Sequence, residues 1–181
     1  MHKSMDDLMV SLSGYHDLMD EVMRNAHSTW MSYDPLVRVE HDARAQAACI
    51  YSHAVAAADR RFLDDNNIIH KEIKNLKVWI FKKEDVVVRF KKMDENGESQ
   101  NCRTKQQHEY DAGKELPGLP YPPTRLTVGY LLDETGTQFK RTQIAQPMAR
   151  SILWCAAIVP YEDRAVGDAA WIDVTRQSRA V

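Results

Sequence analysis

The spacing of the hydrophobic residues changes once along this chain, near residue 65, and this change limits the folds that the chain can adopt. Before it, apolar residues recur at steps of three and four, which is typical of amphipathic helices. After it, short segments rich in β-branched and aromatic residues alternate with polar turns, which is typical of strands. Helices followed by strands predict an α+β fold, with two N-terminal helices packed on an antiparallel β-sheet of about five strands.

Two helices are predicted before the change in spacing. The first covers residues 4–34, and Gly14 near its middle can permit a bend because glycine weakens a helix. Its apolar stripe consists of Leu8, Leu12, Tyr15, Met19, Val22 and Ala26. The second helix is predicted over residues 42–63, and its many small residues allow another element to approach closely.

The strand segments predict two β-hairpins and one further strand. Residues 77–81 and 86–90 flank a polar turn, and residues 125–132 and 138–144 flank a second turn that contains glycine. Alternation along residues 86–91 places Val87, Arg89 and Lys91 on one face of the sheet. Residues 151–159 form the most apolar segment, which predicts a central strand.

The segments between and after the hairpins complete the predicted organisation. A short helix is predicted over residues 105–112, with Thr104 at its start and Gly113 at its end. The proline-rich residues 116–124 predict an extended connection. Polar residues after 160 predict a loosely docked tail. We therefore expect an N-terminal amphipathic helix over residues 1–34, an α+β core domain over 35–160 and a C-terminal tail over 161–181.

Composition narrows the class of protein. The 181 residues, 44% hydrophobic and 28% charged, are typical of one globular domain. We expect a cytoplasmic protein without a membrane partner, because no apolar run reaches the length of a membrane span and the N-terminus lacks a signal-peptide pattern. The three cysteines lie far apart and form neither a disulfide framework nor a CxxC pair.

The charge is unevenly distributed along the chain. The net charge is −2, yet residues 66–105 carry ten basic and six acidic side chains. Five of these basic residues lie between the end of a predicted strand and the start of the next predicted helix, namely Arg89, Lys91, Lys92, Arg103 and Lys105. We expect them to form one positive surface that binds the phosphates of RNA or DNA, with Trp79 and Phe81 stacking on bases. The alternative is that the cations form a solvated face and the two aromatic residues belong to the core.

Other chemistry is only weakly indicated by the sequence. The seven histidines form no metal-binding motif, and we expect no metal and no cofactor. Glu72-Ile73-Lys74 matches half of the pattern of a metal-dependent nuclease, which leaves that enzyme class as one alternative. No residues are indicated as catalytic, and whether the chain is an enzyme stays open.

The apolar stripe of the first helix is a candidate partner-binding surface. Its residues Leu8, Leu12, Tyr15, Met19 and Val22 belong to a methionine-rich segment, and methionine adapts to varied binding partners. We expect this stripe to pack partly on another chain, which is either a second copy in a homodimer or a partner protein. Packing on the sheet of the same chain is the alternative.

Several longer pieces of sequence resemble a known family. The strings RFKK, LPGLP and TRLTVGYLLD, extended by ACIYSHAVAAADRRF and RSILWCAAI, cover roughly residues 35–160. They resemble an uncharacterised bacterial family encoded beside a gene that joins an Xre-type helix-turn-helix to a zinc-metallopeptidase-like domain. The resemblance implies the toxin-like member of a toxin–antitoxin module, neutralised by direct binding of an antitoxin-like protein and acting on nucleic acid or translation. It implies no residue roles, and a non-catalytic interaction or regulatory module is the other alternative.

Overall fold

A computed structural model of the protein describes residues 3–73, 75–100, 104–115, 118 and 123–176. Within these residues the chain forms five α-helices and one mixed sheet of seven strands. The helices are α1 (Met5–Ser11), α2 (His16–Met31), α3 (Pro35–Glu40), α4 (Ala43–Phe62) and α5 (Lys105–Asp111). The strands are β1 (Ile68–Ile73), β2 (Leu76–Phe81), β3 (Val86–Lys92), β4 (Thr124–Leu132), β5 (Phe139–Met148), β6 (Ser151–Ile158) and β7 (Trp171–Asp173). No helix in these parts of the chain is long and apolar enough to span a membrane.

The N-terminal helices begin at polar caps that the sequence contains. The Ser4 hydroxyl accepts a hydrogen bond from the Asp7 backbone N–H, which fixes the start of α1. The predicted first helix is interrupted by a turn around Gly14, so α1 and α2 are separate helices. Asp34 ends the predicted first helix and also begins another helix. Its carboxylate caps α3, and Pro35 occupies the first position of α3. Asp42 caps α4, which confirms the predicted second helix.

The sheet has the order β1-β2-β3-β4-β5-β6-β7, and its strands are antiparallel except for the pair β3 and β4. Both predicted hairpins are confirmed, as β2–β3 and β4–β5. The prediction of a purely antiparallel sheet of about five strands is wrong. The chain between β3 and β4 contains α5, and a crossover of this length allows the two strands to run parallel.

The ends of the sheet differ most from the sequence-based expectation. Strand β1 was not predicted, because its central residues are exposed and do not alternate between apolar and polar. The apolar β6 is not central, since only the three-residue β7 lies beyond it. The predicted loose tail is wrong for residues 171–173, which pair with β6 as β7. The extended connection predicted for residues 116–124 lies mostly outside the described residues.

Helices cover both faces of the sheet, and this divides the core. On one face, α1, α2 and α4 pack against alternate strand residues that include Val86, Val88 and Phe90. On the other face, Tyr110 of α5 packs with Val87 and neighbouring side chains of β2. The predicted alternation along β3 is therefore confirmed, and the face that carries Arg89 is covered by α5.

Candidate functional site

A cleft opens where β2 separates from β3. The two strands pair only from Trp79–Phe81 to Val86–Val88, and the rest of β3 lies without β2 beside it. The cleft has a volume of about 660 Å³ and lies between the last residues of β3 and the first turns of α4 and α5. Its wall on β3 consists of Arg89, Lys91 and Lys92, and its wall on α4 includes Ala43, Arg44, Ala47, Ala48 and Tyr51.

The Arg89 guanidinium is held by three side chains but retains an unused donor. Arg89 is 1% exposed, and its Nε donates to Thr127 Oγ1 at 3.1 Å. Its Nη2 donates to Ser99 Oγ at 3.2 Å and to Asp111 Oδ1 at 2.5 Å. Its Nη1 is buried and has no hydrogen-bond partner among the described residues. A buried donor without an acceptor costs about 1–3 kcal/mol, so this nitrogen is an uncommon feature of the cleft wall.

Tyr110 of α5 contacts the Arg89 guanidinium and forms hydrogen bonds with the backbone of the sheet. The Tyr110 ring centre lies 4.3 Å from Arg89 Cζ and 5.4 Å from Arg125 Cζ. The Tyr110 hydroxyl lies 2.9 Å from the Val87 carbonyl and 2.8 Å from the Leu126 carbonyl, so it donates between two adjacent strands. Arg125 donates to backbone carbonyls at the end of α5. These contacts fix α5, and with it Asp111, against the base of the cleft.

Lys91 places a partly desolvated ammonium group in the cleft. Its Nζ lies 5.2 Å from the ring centre of Tyr51, within the range of a cation–π contact. Burial, together with the nearby charge of Arg89, lowers the pKa of Lys91 from 10.5 to about 8, and the charge of Asp111 partly opposes this change. Burial likewise raises the pKa of Tyr51, and nearby Glu72 adds to this rise. At pH 7 the cleft therefore contains a charged ammonium beside a neutral phenol.

Asp111 is the one acidic group bonded to Arg89 at the base of the cleft. Burial raises the pKa of its carboxyl group, and the charge and hydrogen bond of Arg89 counteract this rise. Two further carboxylates lie near Tyr51 but already have cationic or imidazole partners. Glu72 lies 3.7 Å from Lys77 Nζ, and Asp59 lies 2.9 Å from His70 Nδ1. The part of β3 that lines the cleft contributes three cationic side chains.

The predicted positive surface is present only in part. Arg89, Lys91 and Lys92 are brought together in the cleft, but Arg89 is a buried group and its prediction as a surface cation is wrong. The reason is that α5 covers this face of β3. Lys105 is exposed and lies 4.0 Å from Glu109, while its neighbours Thr104 and Gln106 line the cleft. Arg103 lies outside the described residues.

The aromatic residues expected to stack on bases are core residues. Trp79 and Phe81 are buried, and Trp79 packs its indole parallel to the His70 ring at 4.8 Å between ring centres. The half-buried Tyr51 is the aromatic residue that lines the cleft, together with Arg44 from the same helix. Neither residue is predicted as a binding residue from the sequence. Tyr51 lies in the small-residue stripe of α4, and no local signal distinguishes a cleft-lining position there from a core position.

The predicted partner-binding stripe is part of the chain's own core. Leu8, Leu12, Met19 and Val22 have no exposed surface and belong to the cluster between the helices and the sheet. Tyr15 is half-buried, packs against this cluster and donates from its hydroxyl to Asp65 at 2.9 Å. These side chains therefore pack within their own chain, as the alternative interpretation predicts. Another chain cannot reach the four buried residues while the protein is folded.

The nuclease alternative finds no support from the arrangement of its residues. Glu72 lies on β1 and Lys77 on β2 is its cationic neighbour, whereas Lys74 lies outside the described residues. Within the described part of the chain, no three or more His, Cys, Asp or Glu side chains are grouped so that they could hold a metal ion.

Comparison of the chain with protein-family models, with curated proteins and with solved structures finds no match. The resemblance to a bacterial family with a toxin-like role therefore stays a prediction. The chemistry of the cleft is the feature from which a molecular function can be inferred.

Proposed function

We propose that this chain binds single-stranded nucleic acid, RNA or DNA, in the cleft between β3, α4 and α5. The observation that supports this function is the set of cations on the cleft wall, with the Tyr51 ring beside Lys91. Lysine and arginine bind backbone phosphates irrespective of sequence, and an aromatic ring provides a platform for a base. A volume of about 660 Å³ is within the range of pockets that bind small ligands, so one nucleotide unit fits the cleft at a time.

The cleft residues divide into two roles in this proposal. Lys92 of β3 and Arg44 of α4 bind phosphates of the strand, since Lys92 is half-buried and Arg44 is exposed. Tyr51 stacks on a base, a contact that contributes about 1–3 kcal/mol in proteins that bind single strands. Such binding is tolerant of sequence and depends steeply on salt.

The biological role that we propose is that of a toxin-like component of a toxin–antitoxin module. The family resemblance across residues 35–160 supports this role, and nucleic acid is the target class that the cleft favours. Neutralisation requires only that an antitoxin-like protein cover the mouth of the cleft, because the strand then loses access to its phosphate-binding groups.

The binding proposal is tested with a charge-matched pair of variants. Labelled single-stranded RNA, single-stranded DNA and a duplex are titrated at two salt concentrations with the wild type and with Lys91→Ala/Lys92→Ala. The control is Lys82→Ala/Lys83→Ala, which removes two exposed lysines from the β2–β3 turn. We expect the cleft variant to lose about tenfold or more in affinity and to reduce the salt slope by between one and two, because up to two phosphate contacts are lost. The control is expected to bind like the wild type.

Two results contradict the binding proposal. The first is that the wild type does not bind single strands at low salt. The second is that both double variants weaken binding equally, because then the lysines act only through net charge.

The biological role is tested by expressing the chain alone and together with its neighbouring gene. We expect growth arrest by the chain alone, relief by the neighbour and loss of arrest in Lys91→Ala/Lys92→Ala. Arrest that persists in that variant contradicts a role for the cleft, and absence of arrest by the wild type contradicts the toxin-like role.

A further inference from the structure

We infer that the deep end of the cleft is a phosphoryl subsite, in which Arg89 Nη1 and Lys91 Nζ bind a terminal phosphate monoester. This inference rests on the proposed function, because it states which part of the bound nucleic acid lies deepest in the cleft. The phosphate belongs to the end of a strand or to a free nucleotide, and the experiment below separates these sources.

Arg89 is built as a binding group whose orientation is fixed before a ligand arrives. Its Nε and Nη2 are held by Thr127, Ser99 and Asp111, and its guanidinium plane packs on Tyr110. The unpartnered Nη1 is the remaining nitrogen, and its two N–H groups are buried in the wall of the cleft. Nη1 carries two N–H donors, and the oxygens of phosphates and carboxylates are the acceptors that form the strongest hydrogen bonds with a guanidinium group.

Lys91 supplies the second positive charge of the subsite. Arg89 and Lys91 lie two residues apart on the same face of β3 and both line the cleft, so their charges repel each other. Asp111 is the carboxylate at this end of the cleft, and it is hydrogen-bonded to Arg89 Nη2. A phosphate bound between Arg89 and Lys91 contacts two cations in a partly desolvated site, where charge-assisted hydrogen bonds are stronger than in water.

The charge and depth of the subsite favour a terminal phosphate over an internal phosphodiester. A terminal phosphate carries nearly two negative charges at neutral pH, whereas an internal phosphodiester carries one. Because Arg89 is 1% exposed, its Nη1 becomes accessible only when a neighbouring side chain moves, and such an opening admits the end of a strand and not a phosphate with nucleotides on both sides. The Lys91 side chain has several rotatable bonds and swings outward to admit the phosphate.

The test compares oligonucleotides that are identical except for a 5′-phosphate, a 3′-phosphate or free hydroxyl ends. The wild type, Lys91→Ala and the control Lys92→Ala are titrated with each strand, and inorganic phosphate and nucleoside monophosphates are added as competitors. We expect one of the phosphorylated strands to bind about tenfold more tightly than its hydroxyl counterpart, because a charge-assisted contact is gained. Lys91→Ala is expected to lose this preference, and Lys92→Ala is expected to keep it while all strands bind more weakly.

Arg89→Lys provides a second variant, with circular dichroism as the check of its fold. A folded Arg89→Lys that has lost the preference for terminal phosphate supports the subsite. If this variant does not fold, the result with Lys91→Ala decides.

The possible failures are distinguishable. Equal binding of phosphorylated and hydroxyl strands overturns the subsite and leaves the proposed function standing. Protection by inorganic phosphate against thermal unfolding, without binding of any strand, supports the subsite and overturns the nucleic-acid function. Binding of a peptide with a free acidic C-terminus in preference to phosphate overturns the subsite, because a carboxylate is then the anion for which Arg89 is built.

Discussion

Gly129 of β4 lies directly against the backbone of Lys91 on β3. The two residues are register partners in the parallel strand pair, and a Cβ atom at Gly129 would lie 2.3 Å from the Lys91 carbonyl oxygen. The same atom would lie 2.5 Å from Cγ and Sδ of Met93. The absence of a side chain at Gly129 therefore permits the close approach of the two strands behind the cleft.

Gly129→Ala is expected to lower the free energy of unfolding by about 3 kcal/mol, because a backbone oxygen cannot move aside as a flexible side chain can. Urea denaturation measures the effect. Gly14→Ala is the control, since a Cβ there meets nothing within 4 Å, and we expect it to be neutral or stabilising by up to about 1 kcal/mol. Equal stability of the two variants would show that the strands can separate without cost.

His16 is expected to make the protein less stable in mild acid. Burial, with a contribution from the charge of Arg164, lowers the pKa of His16 from 6.5 to about 4, although Asp17 and the Met9 backbone act in the opposite direction. Below pH 6.5 the unfolded chain binds a proton that the native protein does not accept until about pH 4. Stability therefore falls as pH decreases through this range, by about 2–3 kcal/mol between pH 7 and 4.5.

The contribution of His16 is measured as the difference in urea denaturation between pH 7 and pH 4.5. His16→Leu is expected to show a smaller acid loss than the wild type. His108→Gln, at an exposed position, is the control and is expected to retain the full loss. The explanation fails if His16→Leu and the wild type lose the same stability in acid.

Tyr110→Phe is expected to destabilise the protein by about 1–2 kcal/mol. The hydroxyl that lies between the Val87 and Leu126 carbonyls is lost, and burial leaves no water to replace it. Thermal or urea denaturation provides the measurement, with Tyr161→Phe at an exposed position as the control. A wild-type stability for Tyr110→Phe would mean that the strand carbonyls are satisfied by their own ladder alone.

Binding of a phosphorylated strand is expected to weaken as pH increases past 8. The pKa of Lys91 is lowered to about 8, so its ammonium group deprotonates between pH 7 and 9.5, whereas a terminal phosphate keeps its full charge. We expect the affinity to fall about tenfold over this range.

The matched variant for this titration is Lys91→Arg, which stays charged to high pH and is expected to give a nearly flat profile. Among the described residues, the charged and titratable groups near Lys91 include Arg89 from β3, Asp111 from α5 and Tyr51 from α4. A wild-type affinity that is constant from pH 7 to 9.5 would contradict the role of Lys91.

Local signals in the sequence predict α4, α5 and both hairpins, but they merge α1 with α2 and do not predict α3. The boundaries of α4 follow from Asp42 and from the polar residues after position 62, and α5 starts where Thr104 accepts a hydrogen bond from the Gln107 N–H. These elements depend on residues within one or two turns of each other, which is the range over which capping and turn preferences act.

The pairing of strands and the cover of each face could not be predicted in the same way. The alternation along β3 places Arg89 on the same face as Val87 and Lys91. The burial of Arg89, however, depends on α5, whose position is set by the crossover to β4. Likewise, the cleft exists because β2 leaves β3 after three paired residues, and no local pattern specifies where two strands part. Three of the predicted cations are therefore found together, while the aromatic residue beside them was not foreseen.

The parallel pairing of β3 with β4 also affects when the cleft can form during synthesis. The described residues that line the cleft all lie before residue 108, yet the part of β3 that forms its wall, beyond the pairing with β2, is held in the sheet by residues 127–130 of β4. A nascent chain that has exposed only its first 110 residues therefore contains every binding group without the strand that arranges them. Because contacts between distant parts of a chain form late in folding, we expect ribosome-bound and truncated chains to be inert until β4 has emerged.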